Sequence, residues 1–416
     1  MSTFVPTREV THRRILLADA DAFYVAVARL VDPDGAGKEP LLIVGGSSKR
    51  GVVTSASYET RRYGVRSAMP TAHALRLCPK AVIVPVPREA CSQKSREIRK
   101  ALERFSPVVE PASIDEFYVD LTGTERLYHE SLAATAARIR AAVLESTKLS
   151  VSIGGGTSRL IAKLAAEEAK RHRGGDNPGV HIVPPGGEEE FVGRLHLAQI
   201  PMIGPKFQER LARYGMRTVR DALQHDVGVL EERFGKRTGH WLYNRIRGID
   251  TGPVEARIRS KSISHEETFS DDLTEDDDLN REVLRLAVRV AADMRRKDFL
   301  ARTVTVKIRD GDFTTRQAGH TFPQPVSADR PIVETAHRLL RKLRRARRTS
   351  ARLLGVAVSQ LIEVRDPSQL ALFEESSERD LETDHDRTIA RMVDGINVKF
   401  GRGGLRRASE LRGGER

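Results

Sequence analysis

Leu16-Leu17-Ala18-Asp19-Ala20-Asp21 and, far downstream, Ser113-Ile114-Asp115-Glu116-Phe117-Tyr118-Val119-Asp120 are the segments on which the reading of this chain turns. Each is a β-prone apolar run ended or interrupted by carboxylates. Side chains alternate across a strand, so Asp19 and Asp115 are expected to project from neighbouring strands to one side, with Glu116 beside its partner at the sheet surface. Three carboxylates meeting in this way make a site for two divalent cations. Such ions activate an attacking oxygen and stabilise a departing one during phosphoryl transfer, and hard oxygen ligands select Mg²⁺ or Mn²⁺. The alternative is a set of solvated acids at strand ends, and the rest of the chain decides between the two.

A chain of 416 residues is too long for one compact core, which predicts two to four domains. A formal net charge of +13, with 31% of residues charged, points to a polyanionic partner, nucleic acid first. Cys78 and Cys91 lie in unrelated surroundings with no zinc-ligand spacing, and read as structural thiols in a reducing cytoplasm. The N-terminal stretch Met1 to Glu9 lacks the apolar core of a signal peptide, and no later stretch is long enough to cross a bilayer. Secretion and membrane insertion are therefore not expected.

An apolar strand leading into a helix is predicted from Arg13 to Leu30, and Val31-Asp32-Pro33-Asp34-Gly35-Ala36-Gly37 breaks the pattern. A small inserted unit follows, with strands at Leu41–Val44 and Gly51–Ser55, a helix after Thr71 and a close near Val82–Pro85. Beyond Pro87 an α+β pattern resumes: helix Ser95–Phe105, strand Phe117–Leu121, helix Ser131–Glu145, strand Leu149–Gly154. After Asn177-Pro178-Gly179 and Pro184-Pro185-Gly186-Gly187 the pattern is helical to Asp250. Val254 to Ser264, with Arg257, Arg259 and Lys261, reads as an extended basic tether. In the last domain helices Asn280–Lys297 and Ile332–Arg347 alternate with strands Thr303–Ile308 and Leu353–Leu361, consistent with a β-α-β-β-α-β order. From Arg365 to Asp386 the composition is acidic and polar, as in a flexible tail, and Asp386 to Arg407 has helical spacing.

Tyr58-Glu59-Thr60-Arg61-Arg62-Tyr63-Gly64 puts a phenol and guanidinium groups on one side of a helical turn, where a triphosphate would fit. The competing reading is a solvated Arg cluster. Lys163, amid small and apolar neighbours, is either snorkelling or aimed at an anion.

Taken together and in order, Asp19-x-Asp21-x-Phe23-Tyr24, Tyr58-Glu59-x-Arg61, Gly64-Val65-Arg66-Ser67-Ala68-Met69-Pro70, Ser113-Ile114-Asp115-Glu116 and Lys163 resemble the Y-family of translesion DNA polymerases, in its DNA polymerase IV branch. The resemblance implies an α+β, multidomain right-hand fold. Its divisions would be a palm at 1–31 and 86–178, fingers at 32–85, a helix-hairpin-helix thumb at 179–253, a linker at 254–264, a little finger at 265–365 and a tail at 366–416. It implies low-fidelity, template-directed synthesis from deoxynucleoside triphosphates on primer-template DNA by a cytoplasmic monomer. Asp19, Asp115, Glu116 and the Ala20 carbonyl would hold two Mg²⁺, with Mn²⁺ able to replace them. Ser55, Tyr58, Arg61 and Lys163 would bind the triphosphate, and Tyr24 would be the steric gate against a 2′-hydroxyl.

The resemblance also assigns Gly204 and Lys206, in the turn Ile200-Pro201-Met202-Ile203-Gly204-Pro205-Lys206, to a DNA phosphate. Lys307, Arg309 and Arg316 are expected to track duplex phosphates with strong salt dependence. Gln369, Leu370, Leu372 and Phe373, in Gln369-Leu370-Ala371-Leu372-Phe373, are similar to the peptide that docks bacterial polymerases on the β sliding clamp. Met202 departs from the family, which usually has glycine there; so do Ala20 and Ala22, which flank Asp21, and the Ala28-Arg29 pair. Two other readings are a polymerase-shaped binding protein without catalysis and a nucleotidyl cyclase. The retained acids argue against the first, and the hairpin and basic final domain against the second.

Overall fold

The computed structural model describes residues 12–46, 49–171, 178–256, 259–364, 381–401 and 405. The chain folds as two compact units, Met1–Ile258 and Arg259–Arg416.

The first unit is organised around β1 (Ile15–Ala20), in which every residue is buried. A strand that is apolar on both faces must be covered on both. Leu16, Ala18 and Ala20 face one core, while Ile15 and Leu17 face another. From β1 the chain enters α1 (Phe23–Val31) and then a three-stranded sheet of β2 (Leu42–Gly45), β3 (Val53–Ala56) and, beyond α2 (Tyr58–Arg61) and α3 (Thr71–Leu77), β4 (Val82–Val84). It returns through α4 (Arg88–Glu103), β5 (Val109–Pro111), β6 (Glu116–Asp120), α5 (Glu125–Tyr128), α6 (Leu132–Thr147), β7 (Val151–Gly156), α7 (Arg159–Ala169) and β8 (Val180–Ile182). The larger sheet has the order β5-β6-β1-β7-β8, so the first strand in sequence is central and runs antiparallel to both neighbours.

Helix α7 lies directly on β7. A Cβ at Gly154 would stand 2.0 Å from the Ala166 nitrogen and 2.3 Å from the Ala162 oxygen, so only glycine allows this backbone-to-backbone approach. The other side of α7 presents Leu160, Ile161 and Leu164 to a helical core with Leu211, Met216, Leu230, Leu242 and Ile246. That core belongs to α8 (Glu188–Gly193), a 3₁₀ turn at Leu197–Gln199, α9 (Pro205–Ala212), α10 (Val219–Leu223), α11 (Val227–Phe234) and α12 (Lys236–Ile246). One helix thus ties the sheet to the helical layer and fixes what it carries.

The second unit has the order β9 (Ser262–Leu273), α13 (Asp276–Arg296), β10 (Phe299–Asp310), β11 (Thr315–Val326), α14 (Asp329–Ala346) and β12 (Ala351–Glu363), the β-α-β-β-α-β arrangement the pattern predicts. Its antiparallel sheet reads β11-β10-β12-β9. Val304, Val306, Ile308, Val356 and Val358 pack against α13 and α14 in one core. Thr303, Thr305, Lys307 and Arg309 alternate with them and occupy the opposite face of β10. Part of the stretch expected to be a flexible tail is helical and docked: α15 (Asp384–Phe400) begins with a Thr383/Asp386 capping box. Asp394 accepts 2.7 and 2.9 Å bonds from Arg295, and Glu382 accepts from the Ser327 and Ala328 amides at 2.7 and 2.6 Å.

Candidate active site

Adjacent antiparallel strands bring the two acidic clusters together. Asp19 of β1 stands directly opposite Glu116 of β6, and the Ala20 amide donates 3.0 Å to the Asp115 carbonyl. Directly opposed residues share a face, so Glu116 rather than Asp115 is the cross-strand neighbour of Asp19. The expectation that Asp115 would take that place applied strand alternation one residue too early. Asp115 precedes β6, in a turn built by Ser113: its hydroxyl accepts from the Asp115 and Glu116 amides at 3.2 and 3.0 Å and donates to the Asp115 carboxylate at 2.5 Å. Ser113 thereby fixes the Asp115 carboxylate within the turn that leads into β6.

Asp21 is not part of the acid cluster. It accepts 2.8 Å bonds from the Ser150 and Ser152 hydroxyls, which pins the end of β1 to β7.

Among the described residues, no three His, Cys, Asp or Glu side chains converge into a ready-made cation cage. Two carboxylates are turned instead to lysines of α7 and its cap. Lys163 donates to both Glu116 oxygens at 2.9 and 2.7 Å, and Lys170 donates to Asp19 at 2.7 Å and to Glu167 at 2.8 Å. Asp19 is 5% exposed. Burial pushes its carboxyl up to about 7 against the pull of Lys170, and the charges of Glu116 and Glu167 add to the push. For Lys163, burial acts to lower the pKa but the Glu116 hydrogen bond and charge outweigh it, so the ammonium is held above its ordinary value. The donors are hard oxygens only, and they stand on neighbouring backbone positions around a buried acid that calls for a cation. That chemistry fits Mg²⁺ or Mn²⁺.

Tyr24, on α1, sits beside this cluster. Its hydroxyl is raised above the ordinary phenol value by burial and then by the charge of Asp115. Its ring meets Phe23 edge to face at 5.4 Å, and Phe23 is anchored in the core. Ser55 is buried on β3. Tyr58 opens α2, which Ser57 caps, and the Arg61 guanidinium lies 5.0 Å over the Tyr58 ring while its Nε donates 2.9 Å to the Ala56 carbonyl. Arg61 is therefore aimed by its backbone contact rather than loosely solvated.

In the helical layer Gly204 caps α9, Pro205 fills its first position, and Met202, 77% exposed, has φ of 73°. A side chain in the left-handed region at this hairpin explains why glycine suits the position.

In the second unit Lys307 pairs with Glu266, and Arg309 donates to Thr315 at 2.8 Å. Arg316 does not share their face. It lies opposite Ile308 and donates to Asp310 at 2.9 Å, to the Arg347 carbonyl at 3.3 Å and to the Leu343 carbonyl at 2.5 Å. Its expected role on DNA is corrected: strand alternation turns it under α14, where Asp310, fully buried, requires a cation. Arg344 is likewise internal, bonded to Asp276 and to the Thr274 carbonyl.

Cys78 and Cys91 are buried free thiols, and no helix among the described residues is long and apolar enough to cross a membrane. Gln369, Leu370, Leu372 and Phe373 lie outside the described residues, as does Arg257 of the basic tether.

Residues 18–167 match the impB/mucB/samB family, residues 260–372 match that family's C-terminal domain, and residues 198–250 match a DNA polymerase-iota thumb domain. A DNA polymerase IV of Desulfatibacillum aliphaticivorans is 34% identical over 394 residues, 95% of this chain and 96% of that protein. One from Halorhodospira halophila is 36% identical over 352 residues, 85% of this chain and 96% of that protein. Among solved structures, a Y-family DNA polymerase chimera of Dbh and Dpo4 aligns with a TM-score of 0.73 at 25% identity, covering 84% of this chain and 99% of that one.

Proposed function

The chain belongs to the Y-family of DNA polymerases, in its DNA polymerase IV branch, and from that premise we propose how its residues carry out the reaction. It is a DNA-directed DNA polymerase that performs template-directed, translesion synthesis. In the reaction a primer 3′-hydroxyl attacks the α-phosphorus of a bound deoxynucleoside triphosphate and pyrophosphate leaves. The observation that carries the assignment of the centre is the pairing of β1 with β6, which sets Asp19 against Glu116 and the Asp115 carbonyl on the Ala20 amide.

Asp19, Asp115, Glu116 and the Ala20 carbonyl would hold two divalent cations, Mg²⁺ first and Mn²⁺ second. When bound, these supply Lewis-acid stabilisation of the charge that develops on the attacking and leaving oxygens. The chain's own groups do the rest. Arg61, fixed by Ala56, presents its free guanidinium edge with Tyr58 and Ser55 to the triphosphate oxygens. Lys163 belongs to the same anion site and exchanges Glu116 for phosphate when the nucleotide enters. Tyr24, braced by Phe23, stands under the sugar and leaves no room for a 2′-hydroxyl.

The division is a palm at 1–31 and 86–178, fingers at 32–85, a thumb at 179–253, a linker from 254 and a little finger to 365; the separate three-stranded sheet supports the fingers, the match at 198–250 the thumb, and β9 from Ser262 with the match from 260 starts the little finger inside the stretch read as linker to 264. Gly204 and Lys206 contact the DNA backbone at the start of α9, and Lys307 and Arg309 do so from the helix-free face of β10. Gln369, Leu370, Leu372 and Phe373 engage the β sliding clamp, and the enzyme works in the cytoplasm as a monomer.

Primer extension by Asp115→Asn tests the centre. The variant keeps the turn around Ser113 but loses a charge, and extension should fall at least about a hundredfold if several kcal/mol of transition-state stabilisation go with it. Extension at the wild-type rate would refute the assignment.

A further inference from the structure

Lysines stand on two of the three acids, and only one of them, Lys163, has a place in the nucleotide site. The second, Lys170, caps the C-terminal end of α7, seven residues and about two turns beyond Lys163 on the same side of the helix. Because Gly154 seats α7 on β7, the reach of both ammonium groups is set by the fold. Lys170 Nζ lies 2.7 Å from Asp19, which is almost wholly buried, and 2.8 Å from Glu167, which is half exposed. The two acceptors differ in what they need. A buried carboxylate without a cation beside it is costly, whereas an exposed one is solvated with or without its partner. Of these two, Asp19 depends on Lys170, and Glu167 is an acceptor on which the lysine can stay when Asp19 is taken by another cation.

We propose that Lys170 is a positioning residue: the resident counter-cation of Asp19, which holds that carboxylate in place while no metal is bound and yields it on metal entry by staying on Glu167. The inference rests on the reading of Asp19 as a metal ligand and adds to it a built-in competitor. Metal binding then includes breaking the Lys170–Asp19 bond, so the lysine sets the apparent metal affinity. Charge is conserved in the exchange: Asp19 trades one cationic neighbour for another, and no buried carboxylate is left alone at any stage.

The test uses the full chain bound to a primer-template ending in a dideoxynucleotide, so that no chemistry occurs, with Mn²⁺ as the probe. Free Mn²⁺ is followed by electron paramagnetic resonance, and melting is followed in EDTA and in saturating Mn²⁺. Lys170→Met should tighten Mn²⁺ binding about tenfold, the size expected when a competing charge-assisted hydrogen bond is removed. It should melt lower than wild type in EDTA and lose that deficit in Mn²⁺. Glu167→Gln, an exposed change that leaves the fold intact, should weaken Mn²⁺ binding, because Lys170 then loses a charged partner that competes with Asp19 for it. Lys170→Arg should restore the EDTA melting temperature.

Unchanged Mn²⁺ affinity in both Lys170→Met and Glu167→Gln overturns the proposal, as does a melting deficit of Lys170→Met that persists in Mn²⁺, which marks a merely structural ion pair. Asp19→Asn separates the two readings. If it leaves Mn²⁺ binding untouched, the metal-site assignment itself falls. If it abolishes binding while the Lys170 and Glu167 variants bind as wild type, only the counter-cation role does.

Discussion

Gly154→Ala is the smallest change that should disturb the site without touching it. The added Cβ would stand 2.0 Å from the Ala166 nitrogen, 2.3 Å from the Ala162 oxygen and 2.5 Å from the Ala165 carbonyl carbon, whereas ordinary contact begins near 3.4 Å. All three neighbours are backbone of α7, so no side chain can swing aside. The helix must lift from β7 by more than an ångström. Overpacking of this kind typically costs 1–3 kcal/mol, and a helix that must move as a body puts this case at about 3 kcal/mol, with the slight backbone advantage of alanine offsetting under 1 kcal/mol. For a unit of this size that is a fall in melting temperature of roughly 6–12 °C. Lys163 and Lys170 ride on α7 and its cap and move with it. Urea and thermal unfolding measure the first effect, and steady-state nucleotide incorporation measures the second as a raised KM for the triphosphate. A loss below about 0.5 kcal/mol with an unchanged KM would refute the claim that this close approach aims the lysines.

Three further expectations follow from individual contacts. Tyr24→Ala should raise ribonucleotide incorporation with little change in deoxynucleotide use, measured as the ratio of kcat/KM values; unaltered sugar selectivity would remove the gate. Met202→Gly should raise stability by about 1 kcal/mol by relieving a left-handed side chain whose thioether is exposed; chemical denaturation measures it, and an unchanged or lower stability refutes the strain. Arg316→Ala and Lys307→Ala should part company. The first removes one of the two guanidinium partners of buried Asp310, the other being Arg347 at 2.9 Å, and should cost about 2 kcal/mol of stability, whereas the second lowers the salt slope of DNA binding by about one and spares stability.

What the chain discloses before folding is uneven, for identifiable reasons. β1 was legible because a strand buried on both faces has no polar interruption until its acid, and α13 and α14 were legible from apolar periodicity. The outer strands of the second sheet were harder. β9 carries charges through most of its length and its start was read as tether, while β11 contains Pro323 and Pro325, which an edge strand tolerates because its outward amides need no partner. At the site, acids and the Tyr58–Arg61 pair stood out by residue type and spacing. Which of the adjacent pair faces Asp19 did not, because that is decided by the β1–β6 register, which sets Glu116 opposite it and leaves Asp115 in the turn held by Ser113. Arg316 was misread because a basic residue on a strand was counted by charge, whereas alternation along β11 puts it on the same face as the core residues Ala318 and Phe322. Lys170 gave no signal at all, since a lysine at a helix end is commonplace until its carboxylate partner, 151 residues away, is known.

The central claim is that Asp19, Asp115 and Glu116 grip the metal ions of nucleotidyl transfer. Crystals of the chain with a dideoxy-terminated primer-template, a matching deoxynucleoside triphosphate and Mn²⁺ test it through anomalous scattering. The account predicts two manganese peaks within about 2.2 Å of oxygens of these three carboxylates, with Lys170 withdrawn to Glu167. Manganese bound to the triphosphate alone, with Asp19 still on Lys170 and Glu116 still on Lys163, would contradict it.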